Sequence, residues 1–127
     1  MIDATNYDPD RDGHVAALVD GRATSSELLA AHLPDARVVK AFNTMSCETL
    51  MGEGMPGAPR HQRLALLVAG DDAQAKALVG ALIDELGFAA VDTGSLADSA
   101  VQQPGSELCD VALLAPEAEL KLAKLRT

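Results

Sequence analysis

Two asparagines end short apolar runs in this chain. Asn6 closes Ile2-Asp3-Ala4-Thr5-Asn6. Asn43 closes Arg37-Val38-Val39-Lys40-Ala41-Phe42-Asn43, which continues into Thr44-Met45-Ser46. A carboxamide has two N–H donors and an acceptor oxygen, so either side chain could bond a nicotinamide carboxamide, a ribose or the edge of a flavin-type ring. Asparagine also caps turns, and position alone slightly favours that role. Thr44, Met45 and Ser46 stand where a helix should begin, and free backbone N–H groups there favour an anionic or electron-rich group. Gly94 follows Val91-Asp92-Thr93 and allows either close approach of the backbone to a ring or a tight turn. This is chemistry for holding a ligand rather than for proton transfer. No catalytic triad, carboxylate pair, H-E-x-x-H, C-x-x-C or P-loop pattern is present, so no catalytic side chain and no metal ligand is assigned. His14, His32 and His61 have no partner in sequence.

The elements that must position these residues follow an alternating grammar. Four stretches run from apolar strand to polar tip: Ile2–Asn6, Val38–Thr44, Leu66–Asp72 and Val91–Ser95. Ligands in open α/β sheets sit outside the carboxyl ends of the strands, so Asn6, Asn43 and Gly94 are expected together at one end. Thr24-Ser25-Ser26-Glu27 is a capping box opening a helix that Pro34 stops. Asp71, with Gln74, is expected to cap a second helix whose Ala75, Leu78, Val79, Leu82, Ile83 and Leu86 form one broad apolar stripe ended by Gly87. Pro116 suits the first position of a final helix to Leu125. The fold class is therefore α/β: one domain over residues 1–127, with a small, mainly parallel sheet of about four strands flanked by helices and room for an antiparallel edge.

Lys40 lies in an apolar strand, so it is either half of an ion pair beneath the site or an edge lysine reaching water. Gly52-Glu53-Gly54-Met55-Pro56-Gly57 fits G-x-G-x-x-G by letter alone. It follows a helix, carries Pro56 inside and opens no helix, so it is not a dinucleotide fingerprint. Residues 52–63 read instead as an exposed, mobile loop.

The chain has 127 residues, is 48% apolar and carries a formal charge of −9. Few aromatics and no basic patch argue against nucleic acid and anionic membrane surfaces as partners. No apolar run is long enough to span a membrane. Cys47 and Cys109 lack metal spacing and suit reduced, structural thiols in the cytoplasm.

Four blocks in order resemble the deazaflavin (coenzyme F-420)-dependent NADP oxidoreductase family. They are Val39-Lys40-Ala41-Phe42-Asn43-Thr44, Ala69-Gly70-Asp71-Asp72-Ala73-Gln74-Ala75-Lys76, Leu86-Gly87-Phe88 and Val91-Asp92-Thr93-Gly94-Ser95-Leu96. The cytosolic domains of the six-transmembrane metalloreductases are similar too. The match is to the later part of a family member, with no counterpart of the opening strand and glycine-rich turn. The resemblance implies NADP(H) and a deazaflavin or flavin as cofactors, and hydride transfer between them. Such transfer asks the protein mainly to place two rings and exclude water. It also shifts Asn6 and Asn43 toward ligand contact, with Thr44, Met45, Ser46 and Gly94 beside them. The expectation is a fragment of a larger NADP-binding oxidoreductase, inactive alone, with a homodimer or a missing N-terminal half as partner. The alternative is a non-catalytic small-molecule-binding or assembly domain.

Overall fold

A computed structural model describes residues 1–127. Its strands are β1 (Ile2–Asp3), β2 (Val39–Ala41), β3 (Ala65–Gly70) and β4 (Ala89–Gly94), and they lie side by side in chain order. β1 and β2 are parallel, with Asp3 beside Lys40, and β3 and β4 are parallel, with Leu67 beside Val91. The sheet is mainly parallel, as the alternating grammar implies. Its antiparallel pairing lies in the middle rather than at an edge: β2 opposes β3, with Lys40 against Ala69. The cause is the connection. A parallel return needs a crossover along the full strand length. Between β2 and β3 the chain makes only a six-residue helix, Cys47–Gly52, then the glycine- and proline-rich run and a three-residue 3-10 turn. It re-enters the sheet at the end it left.

The helices are α1 (Pro9–Asp12), α2 (Ala16–Val19), α3 (Ser25–His32), α4 (Cys47–Gly52), α5 (Ala73–Glu85) and α6 (Ala115–Leu125), with 3-10 turns at Arg60–Gln62 and Ala97–Gln102. Thr24 caps α3 in the expected box with Glu27. α5 is capped by Asp72, whose side chain accepts from the Ala75 N–H, rather than by Asp71. Asp71 accepts from the Leu96 N–H at 2.9 Å and so ties the start of α5 to the chain after β4. α4 is capped by Ser46, which accepts from the Thr49 N–H at 3.2 Å.

Two cores lie on the two faces of the sheet. Under α5, Val39, Ala41, Leu66 and Val68 meet Val79, Ile83 and Phe88. On the other face Leu67 and Val91 meet Leu108 and, from α6, Ala118 and Leu122. The apolar stripe of α5 is split: Val79 and Ile83 are buried, whereas Leu78 is 75% exposed. A single helix over a four-stranded sheet covers one narrow line of contact, and the rest of a broad stripe stays outside it.

The Gly52–Arg63 run is mostly exposed but fastened at two points. The Met55 N–H donates to the Gly87 carbonyl at 2.9 Å. Gly87 has φ +91°, and a Cβ there would lie 2.3 Å from the Met55 nitrogen, so this crossing requires glycine. The Arg63 guanidinium donates to the carbonyls of Ala58 (2.8 Å) and Pro56 (2.7 Å) and to the Asp84 carboxylate (2.8 Å). Arg63→Ala should therefore loosen the loop and leave the sheet intact. Limited trypsinolysis at Arg60 should speed up several-fold in that variant while the circular-dichroism spectrum is unchanged. An unchanged cleavage rate would mean that Arg63 does not hold the loop.

Candidate functional site

The floor of the β1/β2 end is an ion pair. Lys40 Nζ lies 3.5 Å from Asp3 Oδ2, and each side chain is 1% exposed. β1 and β2 put the two residues side by side on one sheet face. Lys40 also donates to the Thr5 carbonyl at 2.5 Å. Asp3 accepts from Ser26 Oγ (2.7 Å), Thr5 Oγ1 (2.7 Å) and the Thr5 N–H (3.0 Å). Of the two readings open for Lys40, the structure has the buried pair. Burial alone would raise the Asp3 carboxyl; the hydrogen bonds from Thr5 and Ser26, with the Lys40 charge, outweigh it and hold the group below the usual carboxylate range. Burial draws the Lys40 ammonium below the usual lysine range, against the pull of Asp3.

Above this floor the two asparagines meet. Asn6 Nδ2 donates to the Asn43 carbonyl and Asn43 Nδ2 donates to Asn6 Oδ1, both at 2.9 Å. Asn43 is buried and its Nδ2 also donates to the Gln102 carbonyl at 2.6 Å. Phe42, just before it, has φ +70°, a strained value for a bulky residue. The strain turns the strand end so that Asn43 points inward while the Phe42 ring packs on the α5-side core.

Two concavities flank this pair. A cleft of about 520 Å³ is lined by Asn6, Tyr7, Arg11, Leu18, Gln103 and Asp110, among others. A smaller hollow of about 120 Å³ is lined by Thr44, Met45, Ser46, Thr49 and Asp110. Asp110 borders both, has φ +58°, and donates its N–H to the Thr44 carbonyl at 3.0 Å. Arg11 is the one cation of the larger cleft's lining. Its guanidinium is committed to both Asp12 oxygens (2.7 and 2.8 Å) and to the Asn6 carbonyl (2.7 Å). That bond pulls the Asp12 carboxyl down to about 2.

The structure thus brings Asn6, Asn43, Thr44, Met45 and Ser46 to one end of the sheet. Gly94 is not with them. Because β2 runs against β3 and β4, the carboxyl end of β4 lies at the opposite end from that of β2. The expected clustering of Asn43 with Gly94 is corrected by that pairing. Gly94 has φ +116°, and a Cβ there would lie 2.2 Å from Asp98 Oδ2. It makes room for Asp98, which accepts from the Ser95 N–H at 2.8 Å. Gln102 and Asp110 escaped the sequence reading. Both come from the irregular chain after β4 and gain meaning only through distant contacts, Gln102 with Lys40, Asn43 and Leu67 and Asp110 with Thr44, so no local pattern marks them.

The architecture is a Rossmann-like α/β sheet, and comparison with known proteins agrees. No family model matches the chain. A solved structure of a hypothetical protein from Sinorhizobium meliloti superposes with a TM-score of 0.74 at 35% identity, over 89% of this chain and 53% of that one. Metalloreductase STEAP3 of Rattus norvegicus is 36% identical over 78 residues, 61% of this chain and 15% of that protein. A protein from Arthrobacter sp. FB24, described as a prospective F420-dependent NADP-reductase, is 33% identical over 59% of this chain and 32% of its own, with a TM-score of 0.48. The chain spans about half the length of the Sinorhizobium protein and a smaller share of the other two. The chain is thus similar to the Sinorhizobium protein over most of its length and to a segment of a metalloreductase over 78 residues.

The ion pair generates two predictions. Removing one member of a buried pair leaves the other charge uncompensated, at a cost of about 3–5 kcal/mol. Lys40→Met should lose that much in urea unfolding, and Lys40→Met with Asp3→Asn should recover part of it. A Lys40→Met loss below about 1 kcal/mol would show that the pair is not coupled to folding. The Asp3 carboxyl is depressed in the folded state, so the unfolded state takes up the proton first. Its stabilisation is full above the ordinary carboxylate pKa of about 3.9 and fades as pH falls through the lower folded value. Stability measured from pH 6 to 2 should drop more steeply below about pH 4 in the wild type than in Asp3→Asn. Parallel curves would remove Asp3 from the acid response.

Proposed function

We propose that the β1/β2 end receives the reacting ring in an NADP(H)-dependent reductase, with a deazaflavin or flavin as the other partner. The observation that carries this is the Asn6–Asn43 pair at the carboxyl ends of two parallel neighbours, with Asn6 lining the 520 Å³ cleft and Asn43 buried behind it. When bound, the nicotinamide supplies the hydride and the deazaflavin or flavin ring accepts it. Asn6 would hold the ring's polar edge, Asn43 holds Asn6, and Thr44, Met45 and Ser46 line the neighbouring hollow, where they would take an adjoining part of the ligand. Gly94 has no part in this site.

The residues fit the ring end of such a cofactor and not its phosphate end. The cleft offers amide and hydroxyl groups beside the Asp8 and Asp110 carboxylates, while Arg11 is held by Asp12. Within residues 1–127 no glycine-rich turn leads from a strand into a helix to cradle a pyrophosphate. The proposal therefore treats the chain as one α/β domain that works with a nucleotide-holding unit outside these residues. A cytoplasmic setting belongs to the same proposal, with Cys47 and Cys109 both free. No helix is long and apolar enough to cross a membrane.

A non-catalytic binding or assembly domain is the second reading. It is favoured by the Asn43 amide, which spends both N–H groups inside the protein. Calorimetry on the 127-residue chain separates the two. Without several charge-assisted phosphate bonds of roughly 1.5–3 kcal/mol each, NADPH should bind with a dissociation constant near millimolar or weaker. Riboflavin, which has a ring and no phosphate, should bind at least as well as NADPH, and Asn6→Ala should weaken it. Low-micromolar NADPH with turnover would make this chain a complete reductase; no response to either ring would favour the second reading.

A further inference from the structure

Gln102 closes a 3-10 turn after β4, yet it is fully buried. Its Oε1 accepts from Thr93 Oγ1 at 2.8 Å. Its Nε2 faces the Lys40 carbonyl (3.3 Å), the Leu67 carbonyl (3.3 Å) and Asn43 Oδ1 (3.4 Å). Main-chain carbonyls can only accept, so the Gln102 amide must turn its nitrogen to Lys40 and Leu67. Asn43 must then turn its oxygen to Gln102. The Gln102 carbonyl imposes the same sense from the other side by accepting Asn43 Nδ2. The Asn43 carbonyl in turn accepts Asn6 Nδ2. Four main-chain carbonyls thus set the direction of three amides in a row, and none can flip without facing acceptor to acceptor.

The ledger of donors runs out at Asn6. Asn43 uses one Nδ2 hydrogen on Gln102 and the other on Asn6. Asn6 uses one N–H and one lone pair on Asn43, which leaves one N–H and one lone pair at the wall of the cleft. We propose that Gln102 is a positioning residue of the candidate site: acting through Asn43, it holds Asn6 in one amide orientation and so selects a neutral ligand edge that both donates and accepts, such as a primary carboxamide or a lactam. The selectivity rests on the ring-site reading above; the positioning does not. Thr93 supports it from beneath. The register shift between β3 and β4 leaves Thr93 without a strand partner, and its hydroxyl goes to Gln102.

The test is side-chain amide exchange by nuclear magnetic resonance on the ¹⁵N-labelled chain, comparing wild type with Gln102→Met. Asn6 does not touch Gln102, so a merely local packing role would leave its amide unmoved. Gln102→Met removes the Nε2 contact with Asn43 Oδ1 and leaves the main-chain Gln102 carbonyl that accepts Asn43 Nδ2; exchange at Asn6 Nδ2 should then rise several-fold, with main-chain protection across β3 retained. Riboflavin affinity should fall by a similar factor. Should Gln102→Met fail to fold, Thr93→Val, which keeps the side-chain shape and frees Gln102 Oε1, should raise Asn6 exchange in the same direction by a smaller factor. Unchanged Asn6 exchange overturns the positioning role. Faster Asn6 exchange in a protein whose wild type binds no riboflavin supports the positioning role and overturns the ring-site reading instead.

Discussion

The arrangement depends on a lysine and an aspartate that have left water. Lys40 and Asp3 sit side by side on neighbouring strands at 1% exposure. Taking two charges out of water costs several kcal/mol per ion, and the pair persists only where each charge is also hydrogen-bonded. Here the supplementary partners do the organising. Ser26 ties Asp3 to α3, the Thr5 side chain and N–H tie it to the chain beyond β1, and the Thr5 carbonyl takes the Lys40 ammonium. Because Thr5 is fixed at two points, Asn6 leaves β1 in a set direction. A strand of only two residues could not achieve that through its ladder alone.

The second constraint is the antiparallel junction at the centre of the sheet. It divides the polar tips into two groups. Those of β1 and β2 share one end, where the amides and both concavities lie. Those of β3 and β4 share the other, where Asp71 and Asp72 cap or tie neighbouring segments and Gly94 accommodates Asp98. Four stretches with one sequence grammar therefore divide into two that border a cleft and two that serve structure.

This explains what the sequence made legible. Alternation of apolar run and polar tip is local, so the α/β class, the number of strands and the box at Thr24 could be read from residue order. Strand direction is not local. It followed from the shortness of α4 and from the return of the glycine- and proline-rich run over Gly87, which no spacing rule reports. The placement of Asn6 beside Asn43 survived because β1 and β2 are true parallel neighbours; the placement of Gly94 did not, because it assumed the same for β3. Lys40 could be recognised as anomalous but not resolved, since its partner lies 37 positions away. Gln102 gave no signal at all: a glutamine before a turn is ordinary until three segments converge on its amide.

Backbone strain marks the same end of the sheet independently of any polar group. Only Phe42 and Asp110 among non-glycine residues have positive φ. They lie 68 positions apart in sequence, by subtraction of their numbers, yet both border the amide cluster: Phe42 precedes Asn43, and Asp110 donates to the Thr44 carbonyl. Left-handed backbone at residues with side chains costs on the order of 1–3 kcal/mol each and persists only where surrounding contacts over-determine it. At Phe42 the contact is the ring in the α5-side core; at Asp110 it is the buried Leu108 and Cys109 immediately before it. Asp110 borders both hollows, and Phe42, with its ring in the core, lets Asn43 turn in toward Gln102. The cleft is thus shaped by backbone held out of its preferred region and furnished by amides held in one orientation. That combination gives a fixed, hydrogen-bonding wall whose carboxylates, Asp8 and Asp110, and whose Asp12-bound Arg11 leave no free cation for a phosphate.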